Sequence, residues 1–297
     1  MKIYDCFMYY NEDVILDIRL NYLDKFVDKF VIIESVYAHN GEKRKLHFKK
    51  KKFHKFAKKI IYIVLDKQPT ELIEIDKIKE KFKDSAKILN AIKRENFHRN
   101  FILHGLKKAK KDDIIIISDV DEIPKLDNFN FKNVMNKIYI FQQKYFYYKL
   151  NLYNPLTKWH GSRLCKFSRL LSPQWIRNIK AKKYSRWRLD VYWSKKKLFN
   201  IELVKDGGWH FSYLKNAEGI IKKLKTYLHH VEYDLNPIGK KQIQKIINSQ
   251  KAIYNLTLDK KNYSSRFSSE NKLKILDINN LPPYVFNNQI KFKHWLK

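Results

Sequence analysis

Residues 114–124 read IIIISDVDEIP, in which four isoleucines pass directly into three acidic residues and a proline. A short apolar run that ends at a turn signal predicts a β-strand buried on both faces. The acidic residues then lie where this strand would end, at the edge of a parallel sheet where ligands bind. The segment therefore predicts a buried strand that delivers carboxylates to a binding site.

Three other segments have the composition of strands: residues 2–10 (KIYDCFMYY), 30–35 (FVIIES) and 60–66 (IIYIVLD). Residues 11–26 and 71–110 carry apolar side chains at helical spacing. The resulting order is strand, helix, strand, strand, helix and strand. It predicts an α/β fold, with a mostly parallel sheet flanked by helices.

The rest of the chain predicts further strands and then helices. Residues 137–208 are rich in aromatic and alternating segments, which favour additional, antiparallel strands. Helical spacing resumes beyond them, and residues 281–297, with two prolines and little periodicity, predict an extended terminal strap. We expect a main domain over residues 1–232, with the helical extension and the strap over residues 233–297.

The chain is strongly basic, with 62 Lys and Arg against 30 Asp and Glu and a formal net charge of +32. Much of this excess accompanies abundant Asn, Ile, Tyr and Phe, a composition typical of A/T-rich codons. The densest block, residues 43–59 (KRKLHFKKKKFHKFAKK), predicts contact with an anionic membrane surface. Nucleic acid is the other polyanion that such a charge could bind, and we favour it less.

Two cysteines, Cys6 and Cys165, are too few for a disulfide framework and indicate a reducing compartment. The N-terminal residues lack the apolar core of a signal peptide, and no stretch approaches 18 uninterrupted apolar residues. We therefore expect a cytoplasmic location, with the basic block resting at the inner face of a membrane.

The acidic residues of the opening segment predict a metal site. Alternate side chains of a strand point the same way, so Asp119 and Asp121 would face one point while Val120 turns into the core. Two carboxylates suit Mg2+ or Mn2+, and such an ion in turn suits a diphosphate. A D-x-D triplet is common by chance, and the alternative is a solvated turn that ends the strand. The buried-strand context favours the metal site.

The segment DIIIISDVDEIP (113–124), together with YNEDVILDIRLNYLDKFVDKFVIIES (10–35) and GGWHFSYLKNAEGIIKKL (207–224), resembles glycosyltransferase family 17. The resemblance runs in order from about residue 3 to 232. It implies an inverting, metal-dependent transfer from a UDP-sugar, with UDP-GlcNAc as the donor, on a GT-A type fold. The acceptor we expect is a glycan or a lipid-linked oligosaccharide.

Asp119 and Asp121 are the metal ligands that we predict, and His210 is the candidate that would complete the site. The alternative for His210 is packing within an aromatic cluster. Inversion requires a base that removes the proton of the acceptor hydroxyl. Glu218 ranks first for this role and Asp206 second, because both lie in or beside the segment 207–224. An ordinary first-turn glutamate is the alternative for Glu218.

Donor contacts are predicted where strands end. Asn11 is also the predicted N-cap of the first helix, and an arginine fork could pair with the diphosphate. The residues that we expect to touch the nucleotide sugar are Tyr10, Asn11, Glu12, Glu34, Arg99, Asn100 and Asp119.

A nucleic-acid-binding protein or a metal-dependent nuclease is the competing hypothesis, because carboxylates can hold two metal ions and the chain is basic. A nuclease should carry cations beside its acidic residues. The segment between Asp112 and Pro124 contains none, which favours the transferase.

Overall fold

A computed structural model of the protein describes residues 1–227, 230–253 and 271–297. The strands are β1 (Ile3–Met8), β2 (Lys29–Ser35), β3 (Ile60–Leu65), β4 (Ile114–Asp119), β5 (Glu122–Pro124), β6 (Ile138–Tyr147), β7 (Leu152–Lys166), β8 (Ile201–Val204), β9 (Gly208–Ser212) and β10 (Lys274–Ile275). The helices are α1 (Asp13–Leu23), α2 (Lys83–Asn100), α3 (Pro173–Asn178), α4 (Ala217–Thr226), α5 (His230–Leu235), α6 (Lys240–Asn248), α7 (Pro283–Phe286) and α8 (Gln289–Phe292).

The strands form one sheet in the order β3-β2-β1-β4-β7-β6-β9-β5, with β8 beside β6 and β10 beside β7. Strands β3, β2, β1 and β4 are parallel, which confirms the predicted α/β class and the mostly parallel sheet. Strand β7 is antiparallel to β4 and β6, as expected for residues 137–208. The expectation was wrong for β8, which runs parallel to β6, because the long connection between them allows a crossover.

The four isoleucines at the start of β4 point alternately to the two faces of the sheet. Ile114 and Ile116 pack in the core that α1 covers, whereas Ile115 and Ile117 pack in the core beneath the 3-10 helix Phe101–Leu106. All four are fully buried. A continuous apolar run, rather than an alternating one, is what a strand covered on both faces requires.

Helix α1 begins at Asp13, one residue later than an N-cap at Asn11 would place its start. Glu12 occupies the N-cap position, and no side chain caps the helix there. Asn11 was wrongly predicted as the cap, because its side-chain oxygen instead accepts a hydrogen bond from the ammonium group of Lys215. A tertiary contact therefore outweighs the local preference.

The C-terminal residues fold back onto the sheet. The predicted extended strap is wrong, since residues 283–286 and 289–292 form the short helices α7 and α8. Pro283 starts α7, where proline is well tolerated, and Val285 and Phe292 are buried in the core that α1 covers. Among the described residues, no helix is both long enough and apolar enough to cross a membrane.

Replacing Gly208 with alanine should destabilise the protein. Gly208 has φ +124°, and an added Cβ would lie 2.1 Å from the carbonyl oxygen of Ile123 across the β5–β9 pair. We expect G208A to lower the free energy of unfolding by about 2–4 kcal/mol, measured by urea denaturation. The control is Gly239→Ala, where an added Cβ meets no atom within 4 Å. That change should cost no more than about 1 kcal/mol. Equal unfolding midpoints for the two variants would contradict this prediction.

Candidate active site

A buried arginine fixes the turn that carries the acidic residues. Nε and Nη2 of Arg19 donate to the two carboxylate oxygens of Asp5 at 2.8 and 2.6 Å. Nη1 donates to the carbonyl oxygens of Asp119, Val120 and Glu122 at 3.1, 3.3 and 2.6 Å. Both side chains of the ion pair are fully buried. Because a guanidinium is planar and rigid, it locks the backbone between β4 and β5 to helix α1 and strand β1.

Asp119 and Asp121 line the same cleft, although for a different reason from the one that the sequence indicated. Strand β4 ends at Asp119, and β5 begins at Glu122, so Val120 and Asp121 form a turn rather than a continuing strand. Asp119 and Asp121 face the cleft, and Val120 touches it but is buried in the core that α1 covers, as predicted. The turn, and not strand alternation, brings the two carboxylates to one surface.

Two arginines hold Asp119. Its carboxylate accepts hydrogen bonds from Arg99 at 3.0 Å and from Arg177 at 3.1 Å. Arg177 also binds both oxygens of the fully buried Glu122, at 2.6 and 2.8 Å, and Glu122 accepts the N–H of Asp119. Burial alone would raise the pKa of Asp119, but Arg177 and Arg99 outweigh it and lower the pKa to about 2. The carboxylate is therefore ionised at neutral pH.

Asp121 lies between an imidazole and an ammonium group. His210 Nε2 is 3.5 Å from one oxygen and Lys223 Nζ is 3.3 Å from the other. Burial opposes ionisation, but Lys223 and His210 lower the pKa of Asp121 well below its ordinary value. The His210 ring stacks on Tyr145 and packs against Trp159, with centroids 4.5 and 4.6 Å away. Its buried Nδ1 has no hydrogen-bond partner among the described residues.

The cleft beside these residues, called the strand-end cleft below, has a volume of about 200 Å3. Met8–Tyr10, residues 37–39, α2, the β4–β5 turn and α4 line it. It lies beyond the carboxyl ends of parallel strands, as predicted. Its wall contains four carboxylates and three cations, which gives the cleft a formal charge of −1, although the whole chain carries +32. The carboxylates are Glu12, Glu95, Asp119 and Asp121, and the cations are Arg44, Arg99 and Lys223.

The structure brings five of the predicted residues into the strand-end cleft: Tyr10, Glu12, Arg99, Asp119 and Asp121. Asn11 instead lines a neighbouring cleft. Glu34 is fully buried beneath the wall, where it accepts a hydrogen bond from Arg44 at 2.7 Å and reaches the cleft only through that arginine. Asn100 accepts the N–H of Gln174 at 2.9 Å, which fixes the start of α3 and not the cleft.

The two predicted bases lie elsewhere. Glu218 is in the first turn of α4, as expected, but it is exposed and pairs with Lys240, which lowers its pKa. Asp206 pairs with Lys125 and Lys144 beside the start of β9. Neither carboxylate is among the residues that line the strand-end cleft. Their assignment as the base stays a prediction.

Several residues of the site come from distant parts of the chain and were missed. Arg19 and Arg177 were not anticipated. The expectation that no cation lies beside the acidic residues was wrong, because cations reach the turn through tertiary contacts. Lys223 could have been found, since it lies within the family-like segment 207–224. Arg177 sits in a six-residue helix that carries no sequence signal linking it to Asp119.

Comparison with known proteins connects this site to one family. The model of glycosyltransferase family 17 matches residues 1–297, which confirms the resemblance of the three sequence segments. The β-1,4-mannosyl-glycoprotein 4-β-N-acetylglucosaminyltransferases of Homo sapiens and Rattus norvegicus are each 29% identical over 121 residues. These matches cover 39% of this chain but only 21% and 20% of the relatives. None of these matches favours the nucleic-acid alternative.

One solved structure shows a similarity to this chain that is too low to support a conclusion about the fold. HddC from Yersinia pseudotuberculosis is 11% identical with a TM-score of 0.31, over 70% of this chain and 92% of that one.

Removing the buried guanidinium should be costly. We expect Arg19→Met to lower the free energy of unfolding by about 3–5 kcal/mol, because Asp5 and three carbonyl groups would lose their partner in the core. Lys25→Met is the matched control, since its pair with Asp127 is solvent-exposed and should contribute no more than about 1 kcal/mol. Urea denaturation of both variants measures the difference. A similar cost for the two changes would show that Arg19 does not stabilise the turn.

His98, in the wall of the strand-end cleft, should make stability depend on pH. Burial lowers its pKa to about 3, His39 adds to this, and its contact with the carbonyl of Ile33 opposes it. A histidine that is neutral when folded stabilises fully above its unfolded pKa of about 6.5, and this contribution is lost as the pH falls. At pH 5 the loss should be about 2 kcal/mol.

The measurement is the free energy of unfolding at pH 7 and pH 5. His98→Gln should reduce the change in the free energy of unfolding between pH 7 and pH 5 by about 2 kcal/mol. Replacement of the exposed His54 by Gln should leave that change intact. An unchanged pH dependence in H98Q would contradict the assignment.

Proposed function

The chain belongs to glycosyltransferase family 17, and we propose that it transfers N-acetylglucosamine from UDP-GlcNAc to a saccharide acceptor with inversion at the anomeric carbon. The family match over residues 1–297 carries this proposal. The position of Asp119 and Asp121 in a cleft at the ends of parallel strands supports it, and supports a GT-A type of fold. The donor sugar is taken from the names of the relatives.

The strand-end cleft is the proposed donor site. Tyr10 and Tyr37 offer aromatic faces to the uracil ring, and the Arg44 guanidinium lies 3.9 Å from the Tyr10 ring centroid. Arg99 and Lys223 are proposed to face the diphosphate. Burial disfavours the charge of Lys223, but Asp121 raises its pKa above the ordinary value, so the ammonium stays protonated.

The charge of the cleft supports a divalent cation. The diphosphate of a UDP-sugar carries two negative charges, and a cleft of formal charge −1 would repel it unless a cation accompanied it. Arg177 and Glu122, behind the wall, cancel one another and leave this balance unchanged. The cations of the wall alone are therefore too few to hold the donor.

Asp119 and Asp121 are the proposed ligands of Mn2+ or Mg2+. No three His, Cys, Asp or Glu side chains converge on a metal position within the described parts of the chain. Mg2+ needs no such cage, since one or two carboxylates and the substrate phosphates suffice. His210 contacts Asp121 from a buried position, so we propose that it orients this carboxylate rather than binding the ion. When bound, the ion would supply Lewis-acid stabilisation of the leaving diphosphate.

The acceptor is proposed to be a glycan, and the location cytoplasmic. The basic block 43–59 stays a predicted membrane contact. Within the block, the 3-10 helix Lys50–Phe56 buries Phe53 and Phe56. Two lysines of the block pair with acidic residues near the ends of α1: Lys52 with Asp13 and Lys59 with Asp24. Arg44 pairs with the buried Glu34. The exposed lysines of the block, such as Lys43, Lys45 and Lys49, are available to an anionic surface at low salt.

Donor binding should require both the metal and Asp121. UDP-GlcNAc with MnCl2 should raise the melting temperature of the wild type and release UDP, and chelator should abolish both effects. Asp121→Asn should lose the shift and reduce turnover by at least about 100-fold, beyond the usual effect of an outer-shell change. A panel of UDP- and GDP-sugars identifies the donor.

The control is Asp112→Asn, at the opposite end of the strand that carries Asp119. Asp112 is exposed and pairs with Lys166, so its replacement should change neither binding nor turnover. Sugar transfer that persists in D121N at the wild-type rate would overturn the proposed site.

A further inference from the structure

A second cleft, of about 580 Å3, opens beside the strand-end cleft. It is lined by residues 11–15, 148–149, 214–217 and 219, two residues of α6, and His294 with Trp295. Among the described residues, Glu12 is the one that lines both clefts. A group bound in the second cleft would therefore meet a group bound in the first at this carboxylate.

The second cleft is electrically balanced. Two carboxylates, Glu12 and Asp13, face two ammonium groups, Lys149 and Lys215, which gives a formal charge of zero. On a chain of +32, a surface recess without excess positive charge is not built for a polyanion. The balance favours a neutral ligand over a nucleic acid or a phosphorylated lipid.

The side chains of the second cleft suit a hydroxyl-rich ligand. Three amides line it, and among the described residues each uses one end: Asn11 and Asn216 accept through their oxygens, and Gln244 donates through its nitrogen. The other end of each amide is available for a hydroxyl group. Trp295, which is partly buried, adds an aromatic face that can pack against an apolar face of a ligand.

The wall that carries Trp295 is fixed to the sheet. The carbonyl oxygen of Trp295 accepts the N–H of Leu150 at 2.8 Å. Asn151 binds the carbonyl and the N–H of Lys297 at 2.8 and 2.9 Å. These contacts place the C-terminal residues against the turn after β6, so the aromatic face is preformed.

The side chain of Glu12 is held at one end. Its Oε2 accepts the N–H groups of Tyr10 at 3.3 Å and Asn11 at 3.0 Å, whereas Oε1 makes no hydrogen bond with a described residue. Glu12 also lies within electrostatic range of Lys223, the partner of Asp121, and contributes to its raised pKa. One carboxylate oxygen is thus free beside the proposed leaving group.

We propose that the second cleft binds a neutral saccharide acceptor and that Glu12 is the catalytic base. This rests on the proposed function. The acceptor hydroxyl gives its proton to Glu12 as its oxygen forms a bond to the anomeric carbon of the donor. The bond from that carbon to the phosphate oxygen breaks, and UDP leaves with the electron pair. Protein, acceptor and donor supply every atom.

The test uses the full chain with UDP-GlcNAc and MnCl2. The acceptors are methyl glycosides and short oligosaccharides of mannose, glucose and N-acetylglucosamine, and UDP release is measured. Glu12→Gln keeps an oxygen for the N–H groups of Tyr10 and Asn11, so the protein should fold. Its kcat should fall about 100- to 10,000-fold, while UDP with MnCl2 should still raise its melting temperature. Glu218→Gln, the competing assignment, is measured in parallel.

Binding of the acceptor is tested separately. Trp295→Ala should raise the KM for a neutral acceptor about tenfold, equivalent to about 1.4 kcal/mol, without changing the thermal shift with UDP. Gln244→Ala should raise the same KM severalfold. Because Gln244 is exposed, this variant should fold, so it tests the cleft even if the tryptophan variant misfolds. Trp187→Ala is the matched control, because this tryptophan is 91% exposed and lies outside both clefts.

The outcomes separate the two proposals. A wild type that neither binds nor turns over a UDP-sugar overturns the proposed function and the inference together. Donor binding without transfer to any neutral saccharide, or transfer only to phosphorylated acceptors, overturns the inference alone. So does a wild-type kcat in E12Q, a loss confined to E218Q, or a KM effect in W187A but not in W295A and Q244A.

Discussion

The structure depends on the buried pair between Arg19 and Asp5. Strand β4 must end in a turn whose carbonyl groups lie inside the protein, and three of them receive their hydrogen bonds from one guanidinium. A buried ion pair contributes little net stability, because desolvation offsets the attraction. Its consequence is geometric. Because β1, α1 and the β4–β5 turn share one rigid group, Glu12 at the start of α1 keeps a fixed relation to Asp119 and Asp121.

The two clefts do not share the positive charge of the chain as a whole. The sequence carries +32, yet the strand-end cleft has a formal charge of −1 and the second cleft is balanced. Exposed charges farther apart than about 8–10 Å are largely screened in physiological salt, so ligands respond to the local set of side chains. Net charge is therefore a statement about solubility and nonspecific association, and it does not describe the local charge of either cleft.

Local patterns predicted the parts of the protein that local physics determines. The apolar runs of β1, β2, β3 and β4, the parallel half of the sheet and the position of the acidic residues at its edge follow from periodicity. The contacts that complete the site do not, because they join residues far apart in the sequence, as Lys223 joins Asp121. The wrong prediction for Asn11 has the same cause: its side-chain oxygen accepts a hydrogen bond from the distant Lys215 instead of capping α1.

The separation of the two clefts has a consequence for specificity. The proposed donor cleft is built from the parallel half of the sheet and from α4, whereas the second cleft takes part of its wall from α6 and from the last residues of the chain. These C-terminal residues contact neither Asp119 nor Asp121 in the described structure. Under the proposed assignment, substitutions there would change acceptor binding without disturbing the turn that Arg19 holds. Glu12 differs from these residues because it belongs to the walls of both clefts. If it is the base that we propose, its replacement must affect the transfer itself and not only the choice of acceptor.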